Sequence, residues 1–518
     1  MLHNRGKDMR NAARRIVIFS SAASHNLIVR SGRNFFVPSV AGRIVLFGTV
    51  LLLTVALSFA CSKSSNARKQ TPPPPNTAIV SKDGAGQYTT IGAALKAVQP
   101  GMRILVRPGV YNEALIITKP VEIVADARGT VKQVVLQAFN SSNITMRTDR
   151  ALVRGFVIRH RPGWLGVLYF IFSGKDGSAV DIPQGELALE DSDITSNSGV
   201  GIEIHGHTAN PLIRRTRIHE ARSNGVWVYD GGQGTLEDCD ISGTRMAGVR
   251  IEDEGNPTLR RCQVHDSRNA GVVVTDEGLG TFEDGEIWGN TLSGFESRYA
   301  SKPIVRRTSI HDCKGNGVYI HRESSGTVED CQVFNNANVG VQIKEDSTPL
   351  IVRSKIFNNA YSDVEIREGA NPVLKDCAIY GGQMSGIFVL QGAHGTIENC
   401  DIFGHVNYQE VVIRDASDPT LQTCKIRNGK MGGVLLLENA GGTFENCDIS
   451  DNRFSGVWIR TGSNPTIRNT KINRNDGVAV LSEQNSAGSV LECDLTGNGR
   501  GAWSELAENQ LSRKGNVE

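Results

Sequence analysis

GTLEDCDISGTRMAGVRI, Gly234–Ile251, is followed almost at once by NPTLRRCQVHDSRNAGVVV, Asn256–Val274. The two stretches carry one pattern, with Glu237-Asp238 of the first replaced by Arg260-Arg261 in the second. Working outward, a Gly followed by Val, Ile or Phe recurs at Gly201, Gly225, Gly248, Gly271, Gly294, Gly317, Gly340, Gly386, Gly433, Gly456 and Gly477, mostly 23 residues apart. Asp363 and Glu410 stand in the two degenerate copies. Each copy holds two short, β-branched alternating runs separated by turn residues, which excludes helices. A unit this short cannot bury its own apolar face, so the copies must stack. Short strands at this period describe one rung of an all-β, single-stranded parallel β-helix. About fourteen rungs at roughly 4.8 Å each make a rod on the order of 65 Å.

Two sets of columns test the stacking. About nine residues before each of these repeat positions stand Thr216, Cys239, Cys262, Gly285, Thr308, Cys331, Ser354, Cys377, Cys400, Cys424, Cys447, Thr470 and Cys493. All are small, as an inward column of a narrow coil requires. Neighbouring rungs set their Cβ atoms about 4.8 Å apart, wider than a disulfide prefers, so the column reads as stacked small hydrophobes. The charges form the second test: Arg214, Glu237, Arg260, Glu283, Arg306, Glu329 in one column, and Arg215, Asp238, Arg261, Asp284, Arg307, Asp330, Arg353, Asp376 in the next. In-register stacking of identical charges is unfavourable. Alternation turns that repulsion into attraction and makes the true unit a 46-residue pair of rungs.

The chain flanking the repeats is a different text. Residues 1–43 hold eight Lys/Arg and one acid, and read as a basic extension. Residues 44–61, IVLFGTVLLLTVALSFAC, carry no charge and suit a transmembrane anchor or a lipoprotein signal, with Cys61 as the lipidation candidate; a cleaved signal is the third option. The basic flank then puts the β-helix outside the cytoplasm, in the periplasm or at the cell surface. Residues 62–79 read as a Pro-rich linker, 80–177 as a cap and irregular first rungs, 178–500 as the regular repeats and 501–518 as a C-terminal tail. Thr90 is placed to cap a helix from Ile91 to Val98 that would plug the coil. With 56 basic against 54 acidic residues, nothing marks nucleic acid as a partner.

Asp83-Gly84, Tyr88, Thr90-Ile91, Ala94, Pro100-Gly101, Pro108-Gly109-Val110-Tyr111, Glu113 and Lys119-Pro120 carry a resemblance. The segment resembles the start of the pectin-lyase-like right-handed β-helices, among them pectinesterases and periplasmic copper-site proteins. The later rungs resemble carbohydrate-binding and sugar-hydrolase repeats, found in mannuronan epimerases and in a β-helical F-box-only ubiquitin-ligase subunit. The resemblance spans about residues 80–500 and implies a right-handed coil; it does not specify an activity. The pectinesterase catalytic segments have one echo, GVLYFIFSG at Gly166–Gly174, with Tyr169 where the Asp would stand, so no catalytic residue transfers and the stretch reads as a hydrophobic insertion. No F-box-like helical segment precedes the coil, and calcium-binding nonapeptides are missing.

Function is sought on the outward face of the Gly-Val-x-Ile strand. Its first outward column contains Glu203, Trp227, Arg250, Glu296, Tyr319, Phe388 and Trp458; its second contains His205, Tyr229, Glu252, Arg298 and His321. Aromatic rings beside acids and arginines suit a sugar-stacking groove. The candidate ligand residues are therefore Trp227, Tyr229, Arg250, Glu252, Glu296, Arg298, Tyr319, His321, Phe388 and Trp458. Glu203, Glu252 and Glu296 could also pair as catalytic carboxylates. His219, His265 and His311 repeat every 46 residues, two rungs or about 9–10 Å apart, too far to share one metal ion, and read as surface or turn residues. No metal and no cofactor are expected. The reading is a membrane-anchored binder of an extended polymer, polysaccharide foremost, with a cell-envelope protein as the other partner class. The alternatives are a polysaccharide lyase, hydrolase or C-5 epimerase, and a non-catalytic protein-interaction scaffold, for which the rungs at Asp363 and Glu410 would offer contacts.

Overall fold

The computed structural model describes residues 76–126, 133–139, 141–162, 177–483, 485–505 and 509–518. The basic extension, the uncharged segment with Cys61, nearly all of the Pro-rich linker and the Gly166–Gly174 insertion lie outside the described residues. Among the described residues no helix is long and apolar enough to cross a membrane.

Each turn of the coil contributes one strand to each of three parallel sheets. The turn around Trp227 is representative: Leu212–Arg214 enters the first sheet, Arg217–His219 the second and Val226–Tyr229 the third. Each pairs in register with the next turn: Ile213 opposite Leu236, Ile218 opposite Ile241, and Trp227 opposite Arg250. Three strands per rung correct the two-run reading of the sequence. The first run, Leu212–His219, is bent at Arg215, whose φ is 46°. The same bend recurs at Asp238, Arg261, Asp284, Arg307 and Asp330, all left-handed. Left-handed backbone is uncommon for residues other than Gly, and an Arg there gives no turn signal in a sequence. The second alternating charge column is therefore also the corner of the coil.

The charges alternate through direct ion pairs. Arg215 Nε lies 2.6 Å from Asp191, Arg261 Nε 2.7 Å from Asp238, Arg307 Nε 2.6 Å from Asp284 and Arg353 Nε 2.9 Å from Asp330. In the neighbouring column Glu283 is held from both sides, 2.6 Å from Arg260 and 2.6 Å from Arg306. Most of these side chains are exposed, so each pair contributes only about 0–1 kcal/mol. Their larger effect is on register, because a slip by one rung would oppose like charges.

Inside, the cysteine column is buried as its small side chains require, and the nine described cysteines are all free. The capping helix α1 spans Ile91–Ala97, with Ile91, Ala94 and Leu95 buried against the first rungs. Thr90 accepts from the Ala93 N–H at 3.2 Å. Glu113 accepts from Ile91 and Gly92 at 3.0 and 2.7 Å, so a carboxylate meets the positive end of the helix.

The ends of the coil extend beyond the sequence boundaries. Thr77–Val80, all but Val80 placed in the linker, is a first-sheet strand paired with Arg103–Val106. Trp503–Glu505 and Gln510–Lys514, placed in the tail, pair with Val480–Ser482 and Ala487–Leu491. Both stretches lack the Gly-Val punctuation that marks the regular rungs.

Candidate functional site

On the third sheet the outward columns stack as register demands: Asp181, Glu203, Trp227 and Arg250 in one, and His205 and Tyr229 in the other, with Glu252 in the next position. Together with Ser142, Asn224 and Met246 they line a cleft of about 640 Å³. Four of the candidate ligand residues, Trp227, Tyr229, Arg250 and Glu252, meet here.

The cleft is held by its own hydrogen bonds. Trp227 Nε1 donates to Glu252 Oε1 at 2.8 Å, and Tyr229 OH donates to Glu203 Oε1 at 2.7 Å. Arg250 Nε donates to Glu252 Oε2 at 2.8 Å, and His205 Nε2 lies 2.9 Å from Asp181 Oδ1. The His205 ring stacks on Tyr229 with centroids 5.0 Å apart, and Trp227 leans on Tyr229 at 4.6 Å. The rings are therefore fixed before any ligand arrives, which lowers the ordering cost of binding. The bond to Asp181 lifts His205 above the ordinary imidazole value, against the pull of burial. Burial, then the bond to Glu203, pushes the Tyr229 phenol far above its usual value, so Tyr229 serves as a donor and not as a base.

The remaining candidates lie elsewhere on the same face. Glu296, Arg298, Tyr319 and His321 form a second cluster, in which Glu296 Oε1 is 2.9 Å from Arg298 and 3.2 Å from His321. Tyr319 stacks on His321 at 4.1 Å. Burial works against the Glu296 carboxylate, yet His321 and Arg298 hold it below the usual range. Glu296 and His321 are buried, so this cluster is closed upon itself. Phe388 is seven rungs and Trp458 ten rungs from Trp227. At about 4.8 Å per rung, Trp458 is ~48 Å from the cleft. Sequence reasoning missed Asp181, which belongs to the rung before the first Gly-Val copy. Its only signal was the alternation Val180-Asp181-Ile182.

The repeating histidines are on strands, not in turns. His265, Trp288, His311, Phe334, Phe357, Tyr380 and Phe403 form one outward stack on the second sheet, with neighbouring centroids 4.2–6.2 Å apart. Arg427 closes it, 4.4 Å over Phe403. Each ring face is covered by the next ring, so the column offers edges and no platform for a sugar. Among the described residues no group of three or more His, Cys, Asp or Glu is arranged to hold a metal ion.

The degenerate rungs are not surface contacts. Asp363, His405 and Glu410 are fully buried inside the coil. A ladder of asparagines runs there: Asn336 Nδ2 donates to Asn359 Oδ1 at 3.0 Å, Asn452 to Asn475 at 2.9 Å and Asn475 to Asn498 at 3.0 Å. A Cβ on Gly340 would sit 2.5 Å from Asn359 Nδ2 and 2.5 Å from the Asp363 carbonyl oxygen; the second clash, with the next rung's backbone, recurs at Gly201 and Gly225 and is why the motif needs Gly. At Gly382 and Gly429 the ladder residue has no side chain. The Asp363 and Glu410 side chains occupy those two spaces and clamp His405 between them, with Asp363 Oδ2 2.9 Å from His405 Nε2 and Glu410 Oε2 hydrogen-bonded to Nδ1.

Three solved β-helix proteins are similar in fold. Pectate lyase Pel9A is 14% identical over 49% of this chain and 75% of its own, with a TM-score of 0.39. The A-module of mannuronan C-5 epimerase AlgE6 from Azotobacter vinelandii is 14% identical over 82% of this chain and 93% of its own, with a TM-score of 0.30. A pectin methylesterase from Aspergillus niger is 13% identical over 52% of this chain and 87% of its own, with a TM-score of 0.33. The "Right handed beta helix region" family matches at residues 165–291, 208–356, 337–421 and 364–517, together more than half of the chain. With its three parallel sheets and 23-residue turns, the chain belongs to the right-handed β-helix family.

Proposed function

We propose that the chain binds an extended polysaccharide along the outer face of the third sheet, with the Trp227–Tyr229 cleft as its main contact. One observation carries this reading: two immobilised aromatic rings share a cleft of about 640 Å³ with Asp181, Glu203, Glu252, His205 and Arg250. Aromatic faces and preset polar groups are what a sugar ring requires. The uncharged segment 44–61 behind its basic flank supports a position outside the cytoplasm, tethered to a membrane. A glycan-array screen of the purified chain tests the reading. Binding to a polysaccharide that Trp227→Ala reduces at least tenfold supports it; no binding to any glycan favours a protein-interaction scaffold.

A second reading, an enzyme acting on such a polymer, is favoured by the convergence of an acid–imidazole pair, Asp181–His205, with a phenol and a guanidinium in the same cleft. Product analysis on uronate polymers separates the two. Turnover abolished by Glu252→Gln would mark an enzyme, and binding without products would mark a binder.

A further inference from the structure

At the other end of the third sheet lies a separate pocket of about 420 Å³. Its walls are Met431, Phe454, Trp458, Val478 and Leu481. Trp458 is fixed by its Nε1, which donates to Glu483 Oε2 at 3.2 Å, and by Arg460, 4.6 Å over its ring. Phe454 presents its ring at the mouth and is 55% exposed. Two guanidiniums, Arg453 and Arg500, stand at the rim without an ion pair among the described residues. Asp476 also lines the pocket, leaving a net charge of +1.

Gln409 supplies an independent pointer to a ligand. Its side chain lines the pocket and is only 6% exposed, and its Oε1 is buried without a hydrogen-bond partner. An unpaired buried amide oxygen costs about 1–3 kcal/mol.

We propose that this pocket binds a hydroxylated aromatic carboxylate: its ring between Phe454 and Trp458, its carboxylate at Arg453 and Arg500, and its hydroxyl donating to Gln409. A sugar fits the walls less well, because a ring carrying hydroxyls on every carbon would leave most of them facing Met431, Val478 and Leu481. The pocket volume lies within the range of small-molecule sites. The site does not rest on the polymer reading, since its argument uses no residue of the Trp227 cleft, ~48 Å away at about 4.8 Å per rung.

Calorimetric titration of the full chain with 6-hydroxy-2-naphthoate, 2-naphthoate and 2-naphthol tests the assignment. The hydroxy-acid should bind saturably, the plain acid about fivefold more weakly, and the naphthol at least tenfold more weakly. The Arg453→Ala/Arg500→Ala double variant should lose the preference for the acids. Gln409→Leu should lose the preference for the hydroxyl while its melting temperature stays level or rises; a merely structural Gln409 would lower that temperature and leave the preference intact. Equal affinity for all three probes, no saturable binding, or unchanged preferences in the variants would overturn the proposal.

Discussion

Asp363 Oδ2 and His405 Nε2 lie 2.9 Å apart although 42 residues separate them in the chain. The second imidazole nitrogen is bound to Glu410, whose other oxygen accepts the His405 backbone N–H at 2.9 Å. Three ionisable groups thus replace three rungs of an asparagine ladder, in a place water does not reach.

Burial pulls the His405 imidazole down, but its bonds to Asp363 and Glu410 outweigh burial and raise its pKa to about 9. Burial raises the Asp363 carboxyl as well. A group raised in the fold stabilises fully below its unfolded value and loses that contribution as pH rises through the folded one. For His405 the window runs from 6.5 to about 9, and roughly 3 kcal/mol is at stake. Denaturant titrations at pH 6 and pH 10 should show the loss, and the wild-type minus His405→Asn difference should isolate it. A difference that does not vary with pH would show that the imidazole titrates as in the unfolded chain, and one that rises from pH 6 to pH 10 would show that it is neutral in the fold.

A Cβ on Gly382 would fall 2.9 Å from the Asp363 carboxyl, so Gly382→Asn alone should destabilise by about 3 kcal/mol. Combined with Asp363→Gly it recreates the Gly340–Asn359 arrangement one rung on. The double variant should recover at least 2 kcal/mol of that loss, a coupling that a double-mutant cycle measures directly.

Glu283 is nearly enclosed by Arg260, Arg306 and Arg307. Replacing it by Gln leaves the three guanidiniums facing one another across neighbouring rungs and should cost about 1–3 kcal/mol in thermal or denaturant unfolding. Asp238→Asn removes one exposed pair, with Arg261 2.7 Å away, and should cost under about 1 kcal/mol.

The described cysteines should be silent toward Ellman's reagent in the native protein and all nine should react on unfolding. Cys377, Cys400, Cys424 and Cys447 occupy four consecutive rungs and are at most 2% exposed. Mild oxidation should therefore form no disulfide among them, which a non-reducing mass measurement would check.

The coil was legible because its determinants repeat. Gly248 and Gly271 mark the same corner, and Cys239 and Cys262 the same inward site, so periodicity alone placed the third sheet and the core. Three features escaped for physical reasons. The bend at Arg215 is forced by stacking and is written in no turn residue. The role of Asp363 depends on what is missing at Gly382, nineteen positions later, so it read as decay of the motif when it was compensation. Asp181 reaches the cleft from a rung that lacks the Gly-Val mark. Of the candidate site, the Trp227 cluster came together because its members are rung neighbours. Phe388 and Trp458 share its column but not its place, since a column is as long as the molecule.

The alternating corner charges impose a parity on the length of the rod. Excising one 23-residue turn between Arg261 and Asp284 would bring two residues of like sign into adjacent layers. Excising two turns leaves every opposite neighbour in place. Between Asp191 and Asp376 such a molecule can therefore grow or shrink by internal duplication and loss in steps of two layers, about 10 Å, without opposing like charges, whereas the corners Asn399, Thr423, Asn446 and Asn469 carry no charge and set no parity. Within that charged stretch the layer count is thus quantised by electrostatics rather than by packing.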